Sequence, residues 1–539
     1  MHTFTGMQKL HAHIRLIRRK EAFSFIGKLQ RKFKTAQIYL VGGAVRDILI
    51  GRHCKDYDFV VRGIPLKKLQ SFLAKSGRVD LVGKRFGVLK FIPKGKAAKD
   101  FAARSLETFD IALPRTEEPI LRTGQYRDFH IIQDPALPIE SDLARRDFTI
   151  NALAYDIGAK KIIDPFGGLV DLRKKRIRTV GEPEERFRED YSRMLRAIRF
   201  CCTLRFSIEK NTAEALSRDM HALNRVVSPE AHQGSTRDED VVRVVPYEVI
   251  SREMVRAFAA NPVGAFDLYD RYHVFDTIVS DLIAMKGCPQ PEQWHSEGDV
   301  WTHTRLALRA LLSKAFRRAS ISLQKYYPSY DLSVSPLLIL AVLFHDIGKP
   351  FALKTPERDG VDRVRFDGHD RIGARIAREH LSRLRIRTVP DCAIDPDAVA
   401  WLVKNHLLLL NTTVEELRNN TIEKYFFRDA ALGHTLLQLV WVDSYASKQK
   451  SGTSSLGTYR AFMRRLARFV RFSRAKGSHL PRPVVNGEDV MRILSLPPGQ
   501  RIGKILLAVR EEQLAGVIKT KRDATRFLMK NFHEDYNRA

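Results

Sequence analysis

A chain of 539 residues exceeds what one ordinary hydrophobic core accommodates, so several domains are expected. Its 92 Lys and Arg outweigh 62 Asp and Glu, giving a formal charge of +30. That excess asks for a polyanionic partner, and nucleic acid fits better than a membrane, because no apolar run approaches the ~20 residues of a span. Five cysteines (Cys54, Cys201, Cys202, Cys288 and Cys392) lack C-x-x-C spacing, which excludes a zinc knuckle or disulfide framework and fits a reducing cytoplasm. The basic N-terminus has no continuous apolar core and no small-residue cleavage site, so it does not read as a secretory signal; an organellar transit peptide stays open.

Residues 1–36 read as a basic helical extension with Leu10, Ile14 and Ile17 on one side, suited either to touching RNA or to packing on the domain that follows. Next comes LVGGAVRDILIGRHCKDYDFVV, residues 40–61. Gly42 and Gly43 follow a strand and open a helix, where bare backbone N–H groups can approach a phosphate. Asp56 and Asp58 stand two apart at the start of the next strand, so both carboxylates share a face and can hold Mg²⁺ beside a triphosphate.

GGAVRD followed by D-Y-D resembles the head motif of the class II tRNA nucleotidyltransferase and poly(A) polymerase family, within the polymerase β-like nucleotidyltransferases. The resemblance implies an α+β fold: an N-terminal nucleotidyltransferase head with a mixed sheet and helices, then an all-α neck, HD domain and tail. The chain divides accordingly into 1–36, 37–180 (head), 181–290 (neck with the nucleotide-selecting helix), 291–450 (HD domain) and 451–539 (basic helical tail).

Within the head, strands are expected near 79–82, 86–92, 109–113, 152–157 and 161–164, with a helix near 65–75. Residues 93–108, PKGKAAKDFAARSLET, read as a mobile loop; in the resembled family a flexible loop here helps switch the enzyme from adding C to adding A. Asp110 lies on the following strand and is either the third carboxylate of the metal site or a strand-edge acid. In ARRDFTINALAYD, Arg145 and Arg146 offer bidentate donors for triphosphate oxygens, Asp147 an acceptor for a ribose hydroxyl, and Asn151 a loop-orienting amide. Arg46 would join them at the triphosphate.

EDYSRMLRAIRF, residues 189–200, places Asp190, Arg193 and Arg196 three apart, one face of a helix. A carboxylate accepts from the exocyclic amine of cytosine or adenine and an arginine donates to ring acceptors, a protein template for C and A. The resemblance gives Glu189 the task of orienting the arginine, and Arg193 and Arg196 contact with the incoming nucleotide. Residues 229–245 read as an inserted loop.

From 294 to 450 the order His303, His345-Asp346, His369, His406, Asp443 resembles the HD phosphohydrolase superfamily, whose helices converge on one or two divalent metals. Imidazole with carboxylate suits a transition metal such as Mn²⁺ or Ni²⁺ better than Mg²⁺ alone. After Ser455 a basic helix carries Arg460, Arg464, Arg465, Arg468 and Arg471; Pro481 and Pro483 mark a break, and a helix–turn–helix follows with Lys504 near its turn.

Together these features imply a cytoplasmic enzyme that adds CCA to the tRNA 3′ end from CTP and ATP, with no membrane partner. Poly(A) polymerase, a CC-only or A-only enzyme, and an HD phosphohydrolase with an RNA-binding head are the alternatives.

Overall fold

The computed structural model describes the chain apart from residues 1, 18, 55, 83–86, 95–107, 120–128, 228–241, 391, 393, 410–412, 473–479 and 533–539. Most of the expected 93–108 loop and most of the 229–245 insertion therefore lie outside the described residues. The chain forms two compact units, residues 1–257 with 268–278, and residues 258–267 with 279–539.

The first unit begins with α1 (His2–Ile17) and α2 (Ser24–Lys32), then β1 (Gln37–Val41), α3 (Gly43–Leu49), β2 (Tyr57–Arg62) and α4 (Leu66–Ala74). It continues with β3 (Gly77–Val82), β4 (Val88–Pro93), β5 (Phe109–Ala112), β6 (Arg115–Pro119) and β7 (Phe129–Gln133). Next are α5 (Ile139–Ala144), β8 (Ala154–Asp156), β9 (Lys161–Ile163), α6 (Gly168–Arg173), α7 (Pro183–Glu189) and α8 (Ser192–Leu204). Seven strands form one sheet in the order β3-β4-β5-β2-β1-β8-β9. It is mixed: β2 and β5 run parallel, and the other neighbours are antiparallel.

Alternation along β2 explains its place. Phe59 faces an aromatic cluster in which Phe25 of α2 lies 5.7 Å from Phe59, 5.1 Å from Phe91 and 5.4 Å from Phe109. Val60 faces the opposite layer with Tyr39, Val41, Ile139 and Leu143. Period-2 geometry puts Asp58 on that second face, beneath α5. The basic N-terminal stretch is thus part of the head core. Leu10, Ile14 and Ile17 are buried, and His13 Nε2 lies 3.0 Å from the Tyr57 hydroxyl.

Two sequence expectations change. The β6–β7 hairpin is an addition, since RTEEP combines two acids with a proline and has weak strand character. Asp190 does not share the helical face of Arg193 and Arg196. It is an extended residue between α7 and α8 whose Oδ1 accepts the Ser192 N–H at 2.9 Å, because an aspartate there caps a helix as readily as it lines one.

In the second unit, the helices Val300–Ala310, Pro336–Phe344, His369–Arg383, Pro396–Asn405 and Ala430–Ala446 form the HD region. Pro336–Phe344 is buried from Leu338 to Phe344, which is why its sequence is apolar all round. The helix Gly457–Phe472 buries Tyr459, Phe462, Leu466 and Phe469 and leaves Arg460, Arg464, Arg468 and Arg471 exposed. Gly487–Leu494, Gln500–Leu514 and Lys521–Phe532 pack around Val490, Ile505, Val509 and Leu528, so the expected helix–turn–helix is present with Lys504 in its second helix.

Candidate active site and second metal centre

The parallel β2–β5 register sets Asp58 directly beside Asp110. Asp56, immediately before β2, interacts electrostatically with both. Burial pushes the Asp58 carboxyl up; Arg146 opposes, Asp110 and Asp56 add to it, and the result is about 6. Burial also raises Asp110, with Lys90 opposing. Three carboxylates against two cations leave a local negative excess where the central strands β2 and β5 begin, a donor set that fits divalent metal.

The two adjacent arginines take different environments. Arg145, expected at the triphosphate, is paired within the protein, 2.8 Å from Asp142 and 2.7 Å from Glu117. Arg146 also touches Asp142, at 3.1 Å, but its buried Nε has no hydrogen-bond partner among the described residues. It lies against Gly42, where a Cβ would stand 2.5 Å from its Nη1, and Gly42 has φ +69°. The left-handed φ requires glycine there, while the Arg146 guanidinium is the end of a flexible side chain and can shift. Arg46 is buried, donating to Asp47 at 2.9 Å and to Asn151 Oδ1 at 2.6 Å, which ties α3 to the 149–151 turn. Asn151 in turn donates to Asp147 Oδ1 at 3.0 Å, the loop-orienting part expected of it.

Asp147 is fully engaged. Oδ1 accepts from the Phe148 N–H and Asn151, and Oδ2 accepts from Arg196 Nε at 2.8 Å and Nη2 at 2.5 Å. Burial would raise this carboxyl, but the Arg196 charge and these bonds hold it well below the usual carboxylate range. The expected ribose acceptor is thus a clamp between the head and α8, filled from within. On α8, Arg193 donates to Glu189 at 2.6 Å, and Arg186 donates to the same oxygen at 2.9 Å. Asp190 is buried beside them, and burial raises it, with Arg193 opposing.

In the second unit the expected ligands converge. His303, His345 and Asp346 form one group, and Asp346, His369 and His406 form another, each with ligand atoms within 4.8 Å of one another. His303 Nε2 lies 3.1 Å from Asp443 Oδ1, bringing in the sixth residue. The Nδ1 atoms of His345, His369 and His406 donate to the carbonyls of Val342, Phe366 and Val403 at 2.8, 2.7 and 2.6 Å. That fixes the tautomer and aims each Nε2 inward. The buried Nε2 of His369 has no hydrogen-bond partner among the described residues, an orphan that a metal would satisfy.

Known proteins were compared with the chain. The profile described as the poly A polymerase head domain matches residues 38–178, and that of the HD domain matches residues 323–432. The multifunctional CCA protein of Stenotrophomonas maltophilia is 31% identical over 358 residues, covering 65% of this chain and 72% of that protein. This chain belongs to the tRNA nucleotidyltransferase and poly(A) polymerase family. It is a nucleotidyltransferase. The A-adding tRNA nucleotidyltransferase of Deinococcus radiodurans is 29% identical over 497 residues, covering 91% of this chain and 94% of the relative. The CC-adding enzyme of Thermus thermophilus is likewise 29% identical over 497 residues, covering 91% and 92%. The Bacillus stearothermophilus CCA-adding enzyme in complex with CTP shares the fold, with TM-score 0.53 at 21% identity, over 96% of this chain and 98% of that one. No helix among the described residues is long and apolar enough to cross a membrane.

This family member carries supporting residues that the sequence reading passed over. Asp142, wholly buried, anchors both arginines from three and four residues upstream, a spacing legible on a short helix. Glu297 Oε1 accepts from His303 Nδ1 at 2.8 Å and lies 2.7 Å from His295 Nδ1. Burial would raise Glu297, but the two histidines outweigh it and take it down to about 2. Lys349 sits between Asp346 and Gln290, 2.7 Å from each. Glu297→Gln, which loosens the His303 tautomer, is expected to weaken metal uptake by roughly 10- to 100-fold, read by calorimetric titration. Undiminished affinity would deny Glu297 that supporting role.

Proposed function

We propose that this protein adds CCA to the 3′ end of tRNA, using CTP and ATP and releasing pyrophosphate, in the cytoplasm. The supporting observation is the physical link between the two halves of the site. Arg146, whose charge acts on Asp58, donates to the Asn151 carbonyl, and the Asn151 side chain leads through Asp147 to Arg196 on the helix that carries Arg193. One connected network thus joins a place for nucleotidyl transfer to a place for base choice.

Asp56, Asp58 and Asp110 would hold two Mg²⁺ ions. When bound, those ions supply Lewis-acid activation of the terminal hydroxyl and neutralise charge on the pyrophosphate. Arg146, with its free Nε, and the backbone at Gly42 and Gly43 receive the triphosphate. Asp190 accepts from the exocyclic amine of C or A, which U and G lack at that position, and Arg193, held by Glu189, donates to the ring. Exchanging Asp190 and Arg193 for residues of other hydrogen-bonding sense should relax the choice of C and A. The exposed arginines of Gly457–Phe472 meet the tRNA backbone, which suits an enzyme that accepts every tRNA.

The decisive assay supplies labelled CTP and ATP, separately and together, to tRNA ending before CC, after CC and after CCA. Products that stop at CCA support the proposal, and long A tails point to a poly(A) polymerase. The D. radiodurans and T. thermophilus relatives favour one second reading, a partial enzyme; it would show as growth restricted to CC or to the final A.

Gly42→Ala tests the triphosphate assignment. Its methyl must displace Arg146, at a cost of one charge-assisted bond worth about 1.5–3 kcal/mol, so KM for CTP should rise on the order of 10- to 100-fold. An unchanged KM would remove Arg146 from the triphosphate. In the HD region, the four histidines with Asp346 and Asp443 would hold Mn²⁺, Ni²⁺ or a similar ion, which supplies activated water to a phosphate ester.

A further inference from the structure

At the end of the head sheet remote from the three carboxylates lies a basic groove that the site above does not use. Asp58 is the second residue of β2 and Arg62 closes it, and α4 follows; β1 starts opposite Arg62, separated from the end of α2 by four residues. The groove between these elements is lined by Lys32, Phe33, Lys67, Lys68, Phe72 and Lys75, with Ser71, and encloses about 340 Å³. Five or so strand residues at ~3.3 Å each separate it from Asp58, so it lies roughly 15 Å or more from the transfer site.

Three features make this more than a solvated helix face. Lys67, Ser71 and Lys75 are spaced by four residues, as are Lys68 and Phe72, so α4 and its C-cap residue turn three lysines toward one concavity. No acid lines the groove, and none of its four lysines pairs with a carboxylate among the described residues. Lys32 Nζ is held 5.7 Å from the Phe33 ring and 5.6 Å from the Phe72 ring, and those half-buried rings stand 5.7 Å apart, edge to face. The charge therefore sits on a fixed aromatic floor instead of swinging freely.

We infer that this groove is a second RNA-binding surface, holding backbone phosphates with its lysines and an unstacked base or ribose against Phe33 and Phe72. Lysines interleaved with aromatic rings in an open, acid-free channel are what a single-stranded or looped RNA requires. The aromatic floor favours RNA over an anionic lipid headgroup, which needs charge alone.

The test is binding of a tRNA transcript lacking CCA, measured by fluorescence anisotropy over a salt series. Lys67→Ala, Lys68→Ala and Lys75→Ala are combined in one variant; Lys174→Ala, Lys314→Ala and Lys404→Ala, exposed and outside the groove, make the charge-matched control. The groove variant should flatten the slope of log K against log salt by about 2 and weaken binding on the order of tenfold at low salt. In turnover, KM for RNA should rise while kcat at saturating RNA is unchanged. The binding readout stands whether or not CCA addition is the activity. An unchanged slope, or an equal loss in the control, overturns the inference. So does loss of binding to vesicles containing phosphatidylserine with RNA binding intact, which would make the groove a lipid contact.

Discussion

Asp58→Asn should lose nucleotide incorporation by on the order of 10³-fold or more, and yet melt at a higher temperature than the parent in the presence of a chelator. Both halves follow from one environment. Burial and the neighbouring Asp110 and Asp56 raise the Asp58 carboxyl to about 6, with the Arg146 charge opposing them. In the unfolded chain the same carboxyl titrates near 3.8. Between those values the folded protein holds more protons than the unfolded one, so this group makes stability fall as pH rises. The cost is absent below about pH 4, grows through pH 6 and then levels off at about 3 kcal/mol. An amide of the same shape removes that cost and also removes a ligand. Calorimetry across pH with chelator, beside a single-turnover incorporation assay, reads both. A variant that is inactive and less stable at neutral pH would place Asp58 in the scaffold. Asp56→Ala should likewise abolish incorporation while sparing phosphohydrolysis; persistent incorporation would sink the assignment of metal to these carboxylates.

The second large effect belongs to the other centre. Asp346 is buried among His345, His369 and His406, at 3.2, 3.6 and 3.7 Å, and carries the buried Lys349 at 2.7 Å. Asp346→Ala should abolish metal uptake and leave Lys349 uncompensated, a destabilisation of about 3–5 kcal/mol. Asp346→Asn keeps the shape and separates metal loss from unfolding. Either variant, where folded, should retain nucleotide incorporation, because its contacts remain within the second unit. Metal content, melting temperature and CMP incorporation are the three measurements. Loss of incorporation in a folded Asp346→Asn protein would show that the centres are coupled.

What the sequence disclosed, and what it concealed, follows the reach of each interaction. The D-x-D pair was legible because strand alternation over two residues decides its face, and Asp110 because a strand of FDIA leaves one polar side chain pointing the same way. The HD ligands were legible because five separate helices each carry or end on a characteristic residue, the His345-Asp346 pair among them. Local spacing failed where two structures share it. Asp190 stands three residues before Arg193 whether it lies on the helix or caps it, and only the extended backbone decides. Arg145 and Arg146 were alike in sequence. Asp142 and Glu117 distinguish them, and Glu117 arrives from a hairpin 28 residues away that strand propensity does not announce. Glu297 was hidden for the opposite reason: a lone glutamate in a polar loop says nothing until His303 and His295 turn toward it.

The Asp147–Arg196 clamp has a bearing on how such proteins are recombined. A cut at residue 180, where sheet gives way to helix, looks like the natural seam for grafting one relative's head onto another's neck. It passes between the two partners of an ion pair whose carboxylate is buried. A hybrid that brings Asp147 without a matching arginine inherits an uncompensated charge worth about 3–5 kcal/mol, enough to unfold a marginal domain. Interchangeable cassettes should instead run beyond 204, so that the clamp travels whole.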